Sequence, residues 1–126
     1  MENNLVYNQT VLLVEDEPII RMMMVDSFED HGFRVLEASS AKDALELLAR
    51  REDIAALFTD VEMPGRMDGY DLAKESRQSH PHIAVVIASG RRMPGPGDLP
   101  PGGKFIPKPY LPENVVTTVC EMMLAG

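Results

Sequence analysis

The strongest constraint on the fold is a set of short apolar runs that do not alternate. TVLLV (10–14), AALFT (55–59) and IAVVIA (83–88) are rich in β-branched residues and lack a regular polar position. A strand with one wet face alternates, whereas a strand buried on both faces reads as a continuous apolar run. FRVLEA (33–38) is shorter and belongs nearer a sheet edge, and KFIPK (104–108) is a fifth candidate. Helical patterns separate them. Residues 18–31 open on Pro18, which suits a first helical position, and stop at Gly32. SAKDALELLARR (40–51) begins with a Ser cap, 70–78 follows Asp68-Gly69, and 112–124 opens on Pro112.

Strands alternating with helices imply a parallel sheet with helices on both faces and right-handed crossovers. Five strands in 126 residues favour the α/β flavodoxin-like order 2-1-3-4-5. One domain is expected over 10–126, after a short N-terminal extension at 1–9. A net charge of −8 argues against nucleic-acid and anionic-membrane partners. No signal peptide is visible, and no apolar run approaches the roughly 18 residues a membrane span needs. The single cysteine, Cys120, forms no intrachain disulfide. A cytoplasmic protein is the expectation.

In such a fold the ligand site lies outside the carboxyl ends of the strands. Four ends are informative: Glu15, Asp16 and Glu17 after the first, Asp60 at the third, Ser89 at the fourth and Lys108 at the fifth. Three adjacent carboxylates repel, at about 4 kcal/mol for a pair ~4 Å apart with an effective dielectric near 20. Either they splay into water as an acidic helix start, or a cation sits among them. A few carboxylates with room for water suit Mg²⁺, and no His/Cys spacing suits zinc. Beside such an ion an aspartate can attack phosphorus, with Lys108 and Ser89 holding the phosphoryl oxygens.

In this order and spacing the residues resemble the receiver domain of bacterial response regulators, in its stand-alone form. The resemblance runs from about Val11 to Leu124. It rests on the acidic pair after the first strand, Asp60 followed by MPG and MDG, Ser89-Gly90, and Lys108-Pro109. It implies that Asp60 is the phosphoacceptor, served by a histidine kinase or a histidine phosphotransfer protein. Asp16 then ligates Mg²⁺ directly, Glu15 acts through water, and the Glu62 backbone carbonyl completes the protein ligands. Ser89 and Phe105 correspond to the switch pair, Lys108 to the phosphate's ammonium partner, and the Lys108-Pro109 bond is expected to be cis. Chemistry is limited to Mg²⁺-dependent self-phosphorylation and slow autodephosphorylation, with output through protein binding or a phosphorelay.

The chain departs from the family pattern twice. The loop DVEMPGRMDG has one extra residue, Arg66, beyond the metal-ligand position. GRRMPGPGDLPPGG (90–103) stands where a fourth helix belongs, with four prolines and five glycines. An interior Pro costs a helix about 3 kcal/mol, so this helix is replaced or disrupted, and dimerisation through that face is doubtful. A monomer or weak dimer is expected. On the first helix, Ile20, Met23, Met24 and Phe28 share the core-facing arc. Ile19 and Met22 fall outside it and, with Tyr110 and Leu111, form a candidate partner patch. His31, His80 and His82 read as surface residues, and Glu17 as a capping or dipole residue. The competing readings are a phosphorylation-independent binding module, an aspartate-nucleophile phosphatase, which would want Asp at position 62, and a flavin carrier, whose phosphate the acids would repel.

Overall fold

The computed structural model describes residues 7–125. Five strands form one parallel sheet in the order β2-β1-β3-β4-β5. They are β1 (Thr10–Val14), β2 (Arg34–Ala38), β3 (Ile54–Asp60), β4 (Ala84–Ser89) and β5 (Lys104–Pro107). Four helices lie between and after them: α1 (Pro18–Asp30), α2 (Ala41–Arg50), α3 (Gly69–Ser79) and α4 (Pro112–Ala125). Successive strand residues point to opposite faces, so each apolar run feeds two cores. Leu12, Val14, Leu57, Val85 and Ile87 pack with Leu48 of α2 and Leu72 of α3. Val11, Leu13, Phe58, Val86 and Ala88 pack with Met24 and Phe28 of α1 and Val115, Val116 and Val119 of α4. All of β1 is buried, whereas edge strands β2 and β5 are largely half-exposed or exposed.

Local signals place the helix starts. Ser40 Oγ accepts from Asp43 N, and Asp68 and Asp71 form a reciprocal capping box at α3. Glu17 holds the N-cap position of α1 with an extended backbone but makes no side-chain cap, so its capping reading is corrected and its charge near the helix start remains. Of the expected extension, residues 1–6 lie outside the described residues. Residues 8 and 9 are tied down: Asn8 N donates to Gly32 O at 2.8 Å, and Arg34 N donates to Gln9 O at 2.9 Å.

No helix joins β4 to β5. Residues 90–103 instead form an ordered strap of turns. Leu99 packs against the core shared by α2 and α3, and Pro100 is buried. The strap is pinned to α3 at both ends. Tyr70 Oη donates to Arg92 O at 2.5 Å, while the Arg92 guanidinium pairs with Asp68 at 2.6 Å and sits 5.7 Å from the Tyr70 ring centre. At the far end Arg77 donates to Ile83 O and Pro101 O.

Two further expectations change. His80 is buried, its ring joined to Ser79 Oγ and the Arg51 carbonyl, because the turn after α3 brings it against the end of α2. Met23 is 52% exposed, since only Met24 and Phe28 of α1 reach the sheet fully. Ile19 and Met22 are exposed by 74% and 65%. Among the described residues no helix is long and apolar enough to cross a membrane.

Candidate functional site

Hydrogen bonds just past the strand ends assemble the site. Glu15 N donates to Ala38 O, Val61 N to Ala88 O, and Lys108 N to Ser89 O, so each ladder runs beyond its strand. Glu15, Asp60, Ser89 and Lys108 are thereby carried to one end of the sheet. The Lys108-Pro109 bond is cis, as the resemblance implies.

Asp60 is 3% exposed, and Lys108 Nζ donates to its Oδ2 at 2.8 Å. One carboxylate oxygen from each of Glu15, Asp16 and Asp60 lies within 4.8 Å of the others. Glu15 Oε2 accepts from Glu17 N, whereas Glu15 Oε1 and Asp60 Oδ1 are buried with no hydrogen-bond donor. Buried polar atoms without partners are costly. Three converging carboxylates with two such oxygens fit a hard divalent cation.

Electrostatics agree with this. Burial raises the Glu15 carboxyl to about 7, and the Asp60 charge adds to the effect against the Glu17 N–H and Lys108. Burial likewise raises Asp60, with Glu62 adding and Lys108 opposing. For Lys108, burial acts against the ammonium, but the hydrogen bond and charge of Asp60, with Glu15 and Glu62 beyond, outweigh it and raise its pKa. The site is acid-rich and partly uncompensated.

Ser89 is fully buried, and its Oγ donates to Glu62 Oε2 at 2.5 Å. Phe105 is half-buried and pairs with Ile87 in the β4–β5 ladder. The four patch residues divide. Ile19, Met22 and Leu111 are exposed, whereas the Tyr110 ring packs edge-on against Phe58 and its hydroxyl is buried without a partner. Burial, with the Glu15 and Asp60 charges, raises the Tyr110 pKa. Ile20, Met23, Pro109, Tyr110 and Pro112 line an apolar groove of about 380 Å³ that borders Lys108.

Three contributors escape a reading of the sequence. Arg21 Nη1 donates to Glu15 O at 2.8 Å while its Nε pairs with Glu37, fixing the acidic loop against β2. Its position one turn into α1, four residues after Glu17, is the only signal. The Glu62 side chain reaches Ser89, 27 residues away in sequence, and nothing local announces that. Gly69 lies so close beneath Asp60 that an added Cβ would stand 2.3 Å from the Asp60 carbonyl oxygen.

A family model for the response regulator receiver domain matches residues 11–95. Over 118 residues the chain is 39% identical to the sensor kinase CckA of Brucella abortus (strain 2308), covering 90% of this chain but only 12% of that protein. It is 28% identical over 119 residues to the response regulator receiver protein CpdR of the same organism, covering 92% of this chain and 98% of that one. A solved response regulator receiver protein from Sinorhizobium medicae WSM419 superposes with a TM-score of 0.88 at 27% identity, covering 94% and 96% of the two chains.

Proposed function

The chain belongs to the response regulator receiver domain family, and from that membership we propose that it is a single-domain response regulator accepting a phosphoryl group on Asp60. The observation that carries this reading is the buried Asp60 carboxylate, held 2.8 Å from Lys108 Nζ and beside the converging oxygens of Glu15 and Asp16. Similarity to CpdR across 98% of that protein supports the stand-alone form.

In the transfer, an Asp60 carboxylate oxygen bonds to phosphorus as the P–N bond to the donor imidazole breaks. The electron pair stays on that nitrogen, which takes a proton from solvent. Asp16, Asp60 and the Glu62 backbone carbonyl would hold Mg²⁺, with Glu15 acting through water. When bound, the ion offsets the carboxylate repulsion and the charge on the phosphoryl oxygens. Lys108 stabilises one of those oxygens and Ser89 takes another. Phe105 follows Ser89 in the shift between two states that phosphorylation biases.

The donor is a histidine kinase or histidine phosphotransfer protein in the cytoplasm, and it docks on Ile19, Met22 and Leu111 beside the groove edged by Tyr110. Output passes through protein contacts or onward phosphoryl transfer. The test is intact-protein mass spectrometry after incubation with Mg²⁺ and acetyl phosphate, with Asp60→Asn in parallel. A Mg²⁺-dependent phosphoryl adduct is expected in the wild type and none in the variant. An adduct that persists in Asp60→Asn, or a wild type that forms none, overturns the assignment.

A further inference from the structure

We propose that Glu62 latches the Ser89 hydroxyl in the resting protein, so that an incoming phosphoryl group must displace a carboxylate before Ser89 can reach it. This rests on the reading of Asp60 as phosphoacceptor and adds a regulator to the same site.

A serine hydroxyl has one hydrogen to donate and two lone pairs. Ser89 spends all three. Its hydrogen goes to Glu62 Oε2 at 2.5 Å, and its oxygen accepts from Arg91 N at 3.1 Å and Arg92 N at 2.9 Å. Ser89 is fully buried, so water does not substitute for a missing partner. While the latch is closed, Ser89 has no hydrogen left for a phosphoryl oxygen.

Phosphorylation opens the latch by charge. A phosphorylated side chain carries close to two negative charges near neutral pH. Glu62 follows Asp60 by two residues, and its carboxylate already acts on Asp60 unfavourably. Repulsion therefore drives the Glu62 carboxylate, which is only half-buried, outward toward solvent. Ser89 Oγ then turns toward the phosphoryl group and withdraws its acceptor from Arg91 N and Arg92 N. Arg92 is also the strap's near anchor, held by Tyr70 Oη through its carbonyl and by Asp68 through its guanidinium. The occupancy of Asp60 thus reaches residues 90–103 through two backbone N–H groups.

The experiment uses the full chain as wild type, Glu62→Ala, Glu62→Gln, Ser89→Ala and the Glu62→Ala/Ser89→Ala double variant. The first readout is the initial rate of adduct formation with Mg²⁺ and acetyl phosphate. Glu62→Ala should react on the order of tenfold faster, the equivalent of one charged hydrogen bond. Glu62→Gln, which still offers an acceptor oxygen, should gain less. In the Ser89→Ala background, Glu62→Ala should add no more than about twofold, because the coupled partner is gone. Equal acceleration in both backgrounds, or equal gains for the Ala and Gln variants, would mean that Glu62 acts by charge alone and would overturn the latch. The second readout is amide hydrogen exchange at Arg91 and Arg92 in the unphosphorylated proteins. Glu62 Oε2 is what holds the Ser89 hydroxyl in the rotamer that accepts from Arg91 N and Arg92 N, so exchange should quicken in Glu62→Ala, and unchanged exchange also overturns the proposal. A wild type without adduct would instead refute the phosphoacceptor reading, while the exchange data still decide the latch.

Discussion

Replacing Gly69 with alanine tests how closely α3 must approach the strand that carries Asp60. The backbone angles at Gly69 are open to any residue, so the requirement is one of space. An added Cβ would lie 2.3 Å from Asp60 O, 2.8 Å from Val61 Cα and 2.9 Å from Asp60 C, all of them backbone atoms that cannot rotate away. Relief needs a shift of about 1 Å at the start of α3 or the end of β3, and overpacking of this kind costs about 1–3 kcal/mol. The better helix propensity of alanine offsets under 1 kcal/mol, leaving a net loss of about 1–2 kcal/mol. At ~2.1 cal/mol/K per residue, unfolding 126 residues carries about 0.26 kcal/mol/K. Tm should therefore fall by roughly 4–8 °C. Displacing Asp60 by ~1 Å should also slow phosphoryl uptake on the order of a hundredfold. Circular-dichroism melts and the acetyl phosphate assay measure both effects. Gly90→Ala is the control, because its Cβ would meet only the Lys108 side chain, Cβ at 3.4 Å and Cδ at 3.9 Å, and it should change stability by about 0.5 kcal/mol or less. A Gly69→Ala protein that melts with or above the wild type would refute the steric argument.

Burial raises the Glu15 carboxyl from 4.5 to about 7, so the folded protein holds that proton more tightly than the unfolded chain. This contribution favours folding fully below pH 4.5 and is lost as pH rises through about 7; without divalent ions, urea melts should show Glu15→Gln losing less stability than wild type across that window. Calorimetric titration should also show wild-type Mg²⁺ affinity falling as pH drops below about 7, because the ion competes with that proton. Lys108→Ala removes the ammonium 2.8 Å from Asp60, which should tighten Mg²⁺ binding in the same titration while slowing adduct formation with acetyl phosphate. Tyr70→Phe deletes the hydroxyl that holds the Arg92 carbonyl; stability should fall by about 1 kcal/mol, with faster amide exchange confined to residues 90–103.

The architecture was legible because each strand is short, β-branched and unalternating, and each crossover is punctuated by proline, glycine or a capping residue. Those signals are local, and parallel crossovers leave few topologies to choose among. The acids at 15–17, Asp60, Ser89 and Lys108 were legible for the same reason: they stand at strand ends, and a parallel sheet brings its strand ends together. The prolines and glycines of 90–103 likewise excluded a helix from the sequence alone.

What the sequence could not declare depends on contacts between distant segments. Nothing local distinguishes buried His80 from exposed His82; the difference is the Arg51 carbonyl that the fold brings to the His80 ring. Met23 and Met24 are chemically identical, and the tilt of α1 on the sheet decides that only Met24 is buried. The strap's order comes from Arg92, Tyr70 and Arg77, none of which a proline-rich stretch predicts. The sequence by itself therefore determined which chemical groups reach the site, because backbone propensity and apolar periodicity act over a few residues. Only the tertiary structure decided how those groups are partnered, because the hydrogen of Ser89 and the carboxylate of Glu62 meet across 27 residues of chain.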